Sequence, residues 1–261
     1  MGMIAICDAH AHRSLVGGGA IDCDSYRFTI EHAVVNGTQP IDWPECNSEQ
    51  NQKSSIEVRF AGVHPWVVSQ VRALPWRERL QELLERGLCG IGEIGLDGVE
   101  RPGRADLNEQ CEVFVWQLRL AAEHNLPVSI HCVRASGLLV EILTKTPQPE
   151  RGIHLHDFNG SPETLRQIQK QTEAWFSFGP RSLLQGNPER VQDLLSHVSD
   201  ERLLFETDVP VSDEPVAEAV DWPRALIRMA ELRRLSVAAL ATILNQNYRN
   251  YFLSRRCNNQ P

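Results

Sequence analysis

The 261-residue sequence predicts an α/β fold, a single (β/α)8 barrel of the TIM type with an eroded first β/α unit. Two observations predict it. Short apolar segments of strand length alternate with segments of helix length along most of the chain. The strand segments are apolar on both faces, which is typical of parallel strands covered by helices. Because no internal repeat or long linker divides the chain, we expect one domain over residues 1–253 and a polar tail over residues 254–261.

The predicted elements follow one another in the order of a barrel. The clearest helix covers residues 107–124, where Phe114, Leu118 and Ala121 belong to one apolar stripe. Ser161 and Pro162 suit the N-cap and the first position of the helix that they begin. Strands are predicted within residues 4–12, 26–35, 58–63, 88–92, 127–130, 152–155, 175–178 and 202–205, and helices at residues 76–87, 107–124, 138–143, 162–171, 187–197, 222–232 and 236–252. No helix is predicted between the first two strands, so the first unit is the eroded one.

Charge and cysteine content exclude several classes of protein. Lys and Arg number 26 and Asp and Glu number 34, which gives a net charge of −8, and no run of cations is longer than a pair. The basic stripe of a protein that wraps long duplex DNA is therefore missing from the sequence. Seven cysteines without a Cys-x-x-Cys pair, no basic leader and no run of 18 apolar residues favour a reduced, cytoplasmic protein with no membrane contact.

Histidines and carboxylates collect at the predicted ends of the strands. Barrel enzymes place their chemistry at the carboxyl ends of the strands. Seven candidate residues lie there: His10, His12, His64, Glu93, His131, His156 and Asp208. An isolated His-x-His pair is more often an ordinary surface feature. Here, however, most of the nine histidines fall at predicted strand ends, and chance does not explain this concentration.

The donor set of these residues is typical of a site for divalent metal ions. His10 and His12 lie two residues apart on a strand, so both imidazoles point to the same face. Imidazoles and carboxylates without thiolates favour Zn²⁺ or Mn²⁺, and Mg²⁺ suits the oxygen-richer positions. A pair of ions needs a bridging group. None of the three lysines lies at a strand end, so Glu93 is the natural bridge rather than a carboxylated lysine.

Six motifs carry these residues, and together they are highly specific although each alone is weak. They are Asp8-Ala9-His10-Ala11-His12, Gly62-Val63-His64-Pro65, Gly92-Glu93-Ile94-Gly95-Leu96-Asp97, His131-Cys132, His156-Asp157-Phe158-Asn159-Gly160-Ser161 and Phe205-Glu206-Thr207-Asp208-Val209-Pro210. In this order they resemble the TatD family of metal-dependent deoxyribonucleases, within the wider amidohydrolase-like barrels. The resemblance covers residues 8–210, and residues 245–252 resemble the closing helix of the family.

The resemblance implies a hydrolase with about two divalent ions per chain (Zn²⁺, Mn²⁺ or Mg²⁺) that cuts phosphodiester bonds at DNA ends or in single-stranded DNA. His10, His12 and Asp208 are implied to hold one ion, and His131 and His156 the other.

Four further roles are expected. The resemblance places Glu93 between the two ions and makes His64 a catalytic or phosphate-orienting residue that holds no ion. Asp208 is expected to accept the proton of the attacking water. Glu206 and His154, each two residues from an implied ligand on the same strand face, are candidates for orienting the ligand histidines.

The chain departs from the family where substrates are chosen. Val133 and Arg134 follow His131-Cys132 where the family usually has Arg and Asp, and Gly98 and Val99 replace aromatic residues after Asp97. Two alternatives therefore stay open: an amidase- or lactonase-like hydrolase acting on a small molecule, and a metal-binding barrel that serves as a partner in a larger complex. Only isolated cations are expected at the edge of the predicted mouth, such as Arg101, Arg104, Arg134 and Arg181.

Overall fold

The computed structural model describes residues 2–43, 57–210 and 217–254 of the chain. Nine strands lie in these residues: β1 (Met3–Ala11), β2 (Ile21–Cys23), β3 (Tyr26–Asn36), β4 (Glu57–Ala61), β5 (Gly90–Asp97), β6 (Val128–Val133), β7 (Ile153–Leu155), β8 (Ala174–Phe178) and β9 (Leu203–Phe205). Apart from β2, they form one parallel sheet in the order β1-β3-β4-β5-β6-β7-β8-β9.

The sheet closes into a barrel just beyond its last strand. The backbone N–H of Asp208 donates to the carbonyl of His10 at 3.0 Å, and His12 donates to the carbonyl of Val209 at 2.8 Å. These two bonds join the chain after β9 to the end of β1. The predicted (β/α)8 barrel is therefore confirmed, and its closure brings His10, His12 and Asp208 to one mouth.

Helices cover the outside of the barrel. In the described part of the chain they are α1 (Val68–Val71), α2 (Trp76–Glu85), α3 (Leu107–Glu123), α4 (Ser136–Lys145), α5 (Pro162–Gln171), α6 (Pro188–His197), α7 (Ala217–Arg233) and α8 (Val237–Tyr248). The Ser161 hydroxyl accepts a hydrogen bond from the Thr164 N–H at 3.1 Å, as its predicted N-cap role requires. No helix among the described residues is both long and apolar enough to cross a membrane.

The first unit is eroded in the predicted way, with one addition. Between β1 and β3 the chain forms no helix but a three-residue strand, β2, that pairs antiparallel with β3. The sequence did not predict β2, because Ile21–Cys23 is too short to show alternation. The predicted tail begins at Ser254, and residues 255–261 lie outside the described residues.

Two predicted strands end too early. The strands predicted over residues 88–92 and 127–130 end just before Glu93 and His131. In the structure, β5 continues to Asp97 and β6 continues to Val133. The reason is mutual pairing, since the ladder runs from Ile94 opposite Ile130 to Asp97 opposite Val133. His131 therefore projects from paired strand backbone, opposite Gly95, which fixes its position more firmly than a loop does. Glu93 lies at the irregularity between Ile91 and Ile94, where its backbone N–H donates to the Gly37 carbonyl at 3.0 Å.

The closing segment of the chain fastens the opposite end of the barrel. The Asn245 amide accepts from the Cys7 N–H and donates to the Ala5 carbonyl, both at 2.8 Å. The Tyr251 hydroxyl bonds both backbone groups of Val128 at 2.9 Å. These contacts tie α8 and the turn after it to β1 and β6, below the mouth that carries the candidate site.

Candidate metal centre

All seven residues predicted at the strand ends meet at one mouth of the barrel. Most of them, with Arg181 and Trp66, line an open cavity of about 340 Å³, and His10 lies just beneath it. Glu93 is 2% exposed and His10 is fully buried. The structure therefore brings the predicted residues together without exception.

Glu93 lies at the centre of the cluster with its two oxygens facing two groups of histidines. Its Oε1 is 2.8 Å from His156 Nε2 and 2.9 Å from His131 Nδ1. Its Oε2 is 3.2 Å from His12 Nε2 and 3.7 Å from His10 Nε2. Separations near 3 Å are those of donor atoms that share one ion with ligand bonds of about 2 Å. This is the geometry expected of a bridging carboxylate.

Asp208 completes the group around His10 and His12. Its Oδ1 is 3.7 Å from His12 Nε2 and 3.8 Å from His10 Nε2. The three residues each offer a donor atom within 4.8 Å of the others. Asp208 has a left-handed backbone with φ 51°, which is uncommon for a residue other than glycine and is concentrated at functional sites.

His64 is closer to the cluster than its expected role requires. Its Nε2 is 3.1 Å from Glu93 Oε1, and His64, Glu93 and His131 form another group able to hold an ion. Its Nδ1 accepts a hydrogen bond from the Trp66 N–H at 3.2 Å. The expectation that His64 binds no ion stays a prediction. Because His64 lies this close to Glu93 and His131, metal binding by the His64→Ala variant tests it.

The electrostatics of the cluster fit divalent cations. Burial holds the pKa of His10 well below its ordinary value, so this imidazole is neutral. Its Nε2 is buried without a hydrogen-bond partner among the described residues, as a metal-binding lone pair would be. Burial disfavours the Glu93 carboxylate, but His64 and His156 hold its pKa well below the usual range. Imidazoles around an ionised carboxylate are the donor set that Zn²⁺ or Mn²⁺ takes.

A buried chain of hydrogen bonds orients His10 from the far side. Ser177 Oγ donates to Glu206 and lies 2.6 Å from His154 Nε2. His154 Nδ1 lies 3.4 Å from Ser129 Oγ, which is 2.8 Å from His10 Nδ1. An ionised carboxylate only accepts hydrogen bonds. Every hydrogen bond in this series therefore donates in the direction of Glu206. His10 Nδ1 then carries a proton, and the unprotonated His10 Nε2 faces the cluster.

Two neighbouring groups adjoin this arrangement. His12 Nδ1 donates to the Asn36 carbonyl at 3.0 Å, so Nε2 is the nitrogen that faces Glu93 and that an ion would take. The Asn36 amide nitrogen lies 3.1 Å from His10 Nδ1, so a proton on Nδ1 requires the amide oxygen of Asn36 in that place. Burial raises the pKa of Glu206 to about 7. The donor directions given above, from His10 to Glu206, apply when Glu206 is ionised.

Asp97 supports the other side of the cluster. Its Oδ2 is 3.5 Å from His131 Nε2 and 3.3 Å from Arg104 Nη1, and it accepts a hydrogen bond from Trp66 Nε1. The sequence analysis placed Asp97 in a motif without predicting a role for it. It predicted no role for Ser129, Ser177 or Trp66 either. The contacts of Trp66 with Asp97, of Ser129 with His10 and of Ser177 with His154 each join residues that are at least 23 positions apart in the chain.

Arg181 is the predicted cation that reaches the centre most directly. Its guanidinium is 3.6 Å from Asp208 Oδ2 and 3.7 Å from Asp157 Oδ2, and the side chain is 62% exposed. Arg101 and Arg104 lie beside the Trp66 ring instead.

The chain matches one protein family over almost its whole length. Residues 7–253 match the family described as TatD related DNase. The chain belongs to this family. The family predicted from the strand-end motifs is therefore confirmed, and with it the class of enzyme, a metal-dependent hydrolase of the TatD nuclease type.

Relatives with curated names agree. A protein of Shigella flexneri named 3′-5′ ssDNA/RNA exonuclease TatD is 31% identical over 237 residues, which cover 85% of this chain and 88% of that protein. The human 3′-5′ RNA nuclease TATDN2 is 29% identical over 186 residues, 71% of this chain and 24% of that protein.

Solved structures confirm the fold. YjjV, a TatD homologue from Escherichia coli, superposes with a TM-score of 0.71 at 21% identity, covering 87% of this chain and 88% of that one. A variant of the organophosphorus hydrolase of Deinococcus radiodurans reaches a TM-score of 0.54 at 16% identity, covering 86% of this chain and 79% of that one. At these identities the likeness concerns the barrel alone.

Proposed function

We propose that this protein is a metal-dependent exonuclease that removes nucleotides from the 3′ ends of single-stranded nucleic acid. The observation that carries the proposal is the position of Glu93, whose Oε1 faces His131 and His156 and whose Oε2 faces His12 and His10. Such a bridge suits two cations, which together neutralise the phosphate oxygens and activate water. Residues 1–253 are proposed to act as one unit in this reaction.

The proposed ligands divide between the two oxygens of Glu93. His10, His12 and Asp208 would hold one ion on the Oε2 side. His131 and His156 would hold the other on the Oε1 side, where both imidazole nitrogens lie within 3 Å of that oxygen.

Other side chains at the mouth have roles in the reaction itself. Asp208 is the only residue of the proposed ligand set with an appreciably exposed carboxylate, 18% of its side chain, so it can take a proton from water in the cavity. Burial raises the pKa of this carboxyl above its ordinary value, which favours that transfer. Arg181, held beside Asp208, can bind a phosphate oxygen by a charge-assisted hydrogen bond.

The substrate and the direction of cutting are proposed from two kinds of support. The relatives from Shigella flexneri and from humans are both named 3′-5′ nucleases, one for single-stranded DNA and RNA and one for RNA. Among the described residues, the mouth is a compact cavity with few cations, in a protein of net charge −8. A strand end fits such a cavity better than a continuous duplex, whose phosphates need a long basic surface.

The proposal is tested with end-labelled oligonucleotides and Mn²⁺. We expect a ladder of products shortened from the 3′ end of single-stranded DNA or RNA, and little cutting of closed circular duplex. A lactone and an amide substrate in the same panel test the small-molecule alternative. Rapid cutting of closed circular DNA would contradict the end-trimming activity, and hydrolysis of the lactone alone would contradict the nuclease.

A further inference from the structure

Trp66 places an exposed indole at the rim of the metal-centre cavity. It lies in the single helical turn Pro65–Val67 that follows β4, directly after the motif that carries His64. It lines the same cavity as His64 and Glu93. It exposes 44% of its surface, although a large aromatic side chain gains free energy by burial. No step of the proposed hydrolysis uses it.

The indole is held in one orientation by Asp97 and Arg104. Its Nε1 donates a hydrogen bond to Asp97 Oδ2. The Arg104 guanidinium lies 4.3 Å from the ring centroid, a cation–π contact, and is itself 3.3 Å from the same carboxylate oxygen. Since the polar atom of the indole is already bonded, the surface that it offers to the cavity is aromatic carbon. A ring fixed in this way loses little conformational entropy when a ligand packs against it.

Asp97 also connects the indole to the reacting centre. The oxygen that holds Trp66 is 3.5 Å from His131 Nε2, and the other nitrogen of His131 is 2.9 Å from Glu93 Oε1. A group that packs on Trp66 therefore lies beside the cluster. Arg101, an exposed residue whose guanidinium is 5.9 Å from the ring centroid, adds a positive charge at the same rim.

We infer that Trp66 is the stacking surface for a nucleobase that adjoins the phosphodiester to be cut. The inference rests on the proposed function and adds a binding subsite to it. Every base has an aromatic face, so such a subsite accepts all bases and requires an unpaired one. Trp66 would thus select for a single-stranded end, and binding energy gained on the base would position the phosphate over Glu93.

The test compares substrates that differ by one base. Three single-stranded oligonucleotides are used with the Mn²⁺-loaded enzyme: one complete, one with an abasic residue at the 3′ end, and one with it at the penultimate position. For the wild type we expect kcat/KM to fall about 5- to 100-fold at one of the two positions, given the usual strength of base–aromatic stacking. In Trp66→Leu the complete and abasic substrates should be cut at nearly equal rates, whatever the overall rate of the variant.

Two more variants complete the design. Trp66→Phe keeps a ring and should keep part of the preference, so it also serves if Trp66→Leu does not fold. Leu74→Ala is the control, because Leu74 has a similar exposure, 50%, and is not among the residues that line the cavity. This variant should keep the wild-type preference for the complete substrate over the abasic one.

The outcomes separate the two claims. If the wild type cuts all three substrates equally well, or if Trp66→Leu keeps the wild-type preference, the stacking inference is wrong and the nuclease stands. If the wild type cuts none of them, the proposed function fails and the subsite with it.

Discussion

Glu93 is the residue on which both groups of histidines depend. Removing its carboxylate in Glu93→Ala takes away the one group that faces both, so we expect loss of bound metal and a fall in activity of at least about 100-fold. His64→Ala should lose activity to a similar degree but retain metal. Elemental analysis after loading and desalting, with a single-turnover assay, measures both. Metal loss in His64→Ala would make His64 a ligand, which its 3.1 Å distance from Glu93 permits.

His12 is one of the imidazoles that make metal binding depend on pH; the pKa values of His131 and His156 are raised as well, chiefly by the Glu93 and Asp97 carboxylates beside them. Burial disfavours the charged form of His12, but the Glu93 and Asp208 carboxylates outweigh burial and raise the pKa of His12 to about 9. At pH 7 the metal-free imidazole is therefore protonated, and a bound ion must displace that proton. We expect at least one proton released per chain at pH 7, fewer above pH 9, and apparent affinity that rises with pH between these values.

Calorimetric titration with Mn²⁺ in two buffers of different ionisation enthalpy measures this release. His124→Asn, at the end of α3 and away from the cluster, is the matched control and should release as many protons as the wild type. Equal heats in both buffers at pH 7 would contradict the assignment of a protonated His12.

At the scale of elements, the sequence predicted best where local signals are strong. Helix α3 was expected at residues 107–124 and covers Leu107–Glu123, because its apolar stripe is long and regular. The ends of β5 and β6 and the short β2 were missed, because they are set by pairing with other strands rather than by their own residues. The same holds within the site. The metal-ligand candidates stand in recognisable motifs, whereas Trp66, Ser129 and Ser177 depend on partners far away in the chain.

Two tyrosines of the closing segment allow a matched test of packing. Tyr251 and Tyr248 are both nearly fully buried. The Tyr251 hydroxyl bonds the N–H and carbonyl of Val128, whereas that of Tyr248 has no hydrogen-bond partner in the part of the chain that the structure describes. Tyr251→Phe leaves buried backbone groups unpaired and should lower the free energy of unfolding by about 1–3 kcal/mol. Tyr248→Phe should change it by less than about 1 kcal/mol or raise it.

Urea unfolding followed by circular dichroism measures both changes. An equal loss in the two variants would mean that the Tyr251 contacts do not hold β6 to the end of the barrel.

At the scale of the whole molecule, charge limits how nucleic acid is held. With a net charge of −8 and a few cations around the mouth, we expect contact with about one to three phosphates. The logarithm of the binding constant for single strands should then fall by about 0.7 to 2 for each tenfold rise in salt. Fluorescence anisotropy with a labelled oligonucleotide at several salt concentrations measures the slope. A slope several times steeper would indicate a long basic track and would contradict the end-trimming model.

The central proposal is that Glu93 lies between two divalent ions at the mouth of the barrel. The most direct test is anomalous diffraction from a crystal soaked in Mn²⁺. We expect two anomalous peaks at the mouth of the barrel. One should contact Glu93 Oε2 with His10, His12 and Asp208, and the other should contact Glu93 Oε1 with His131 and His156. A mouth without a peak, or a single ion that does not contact Glu93, would contradict it.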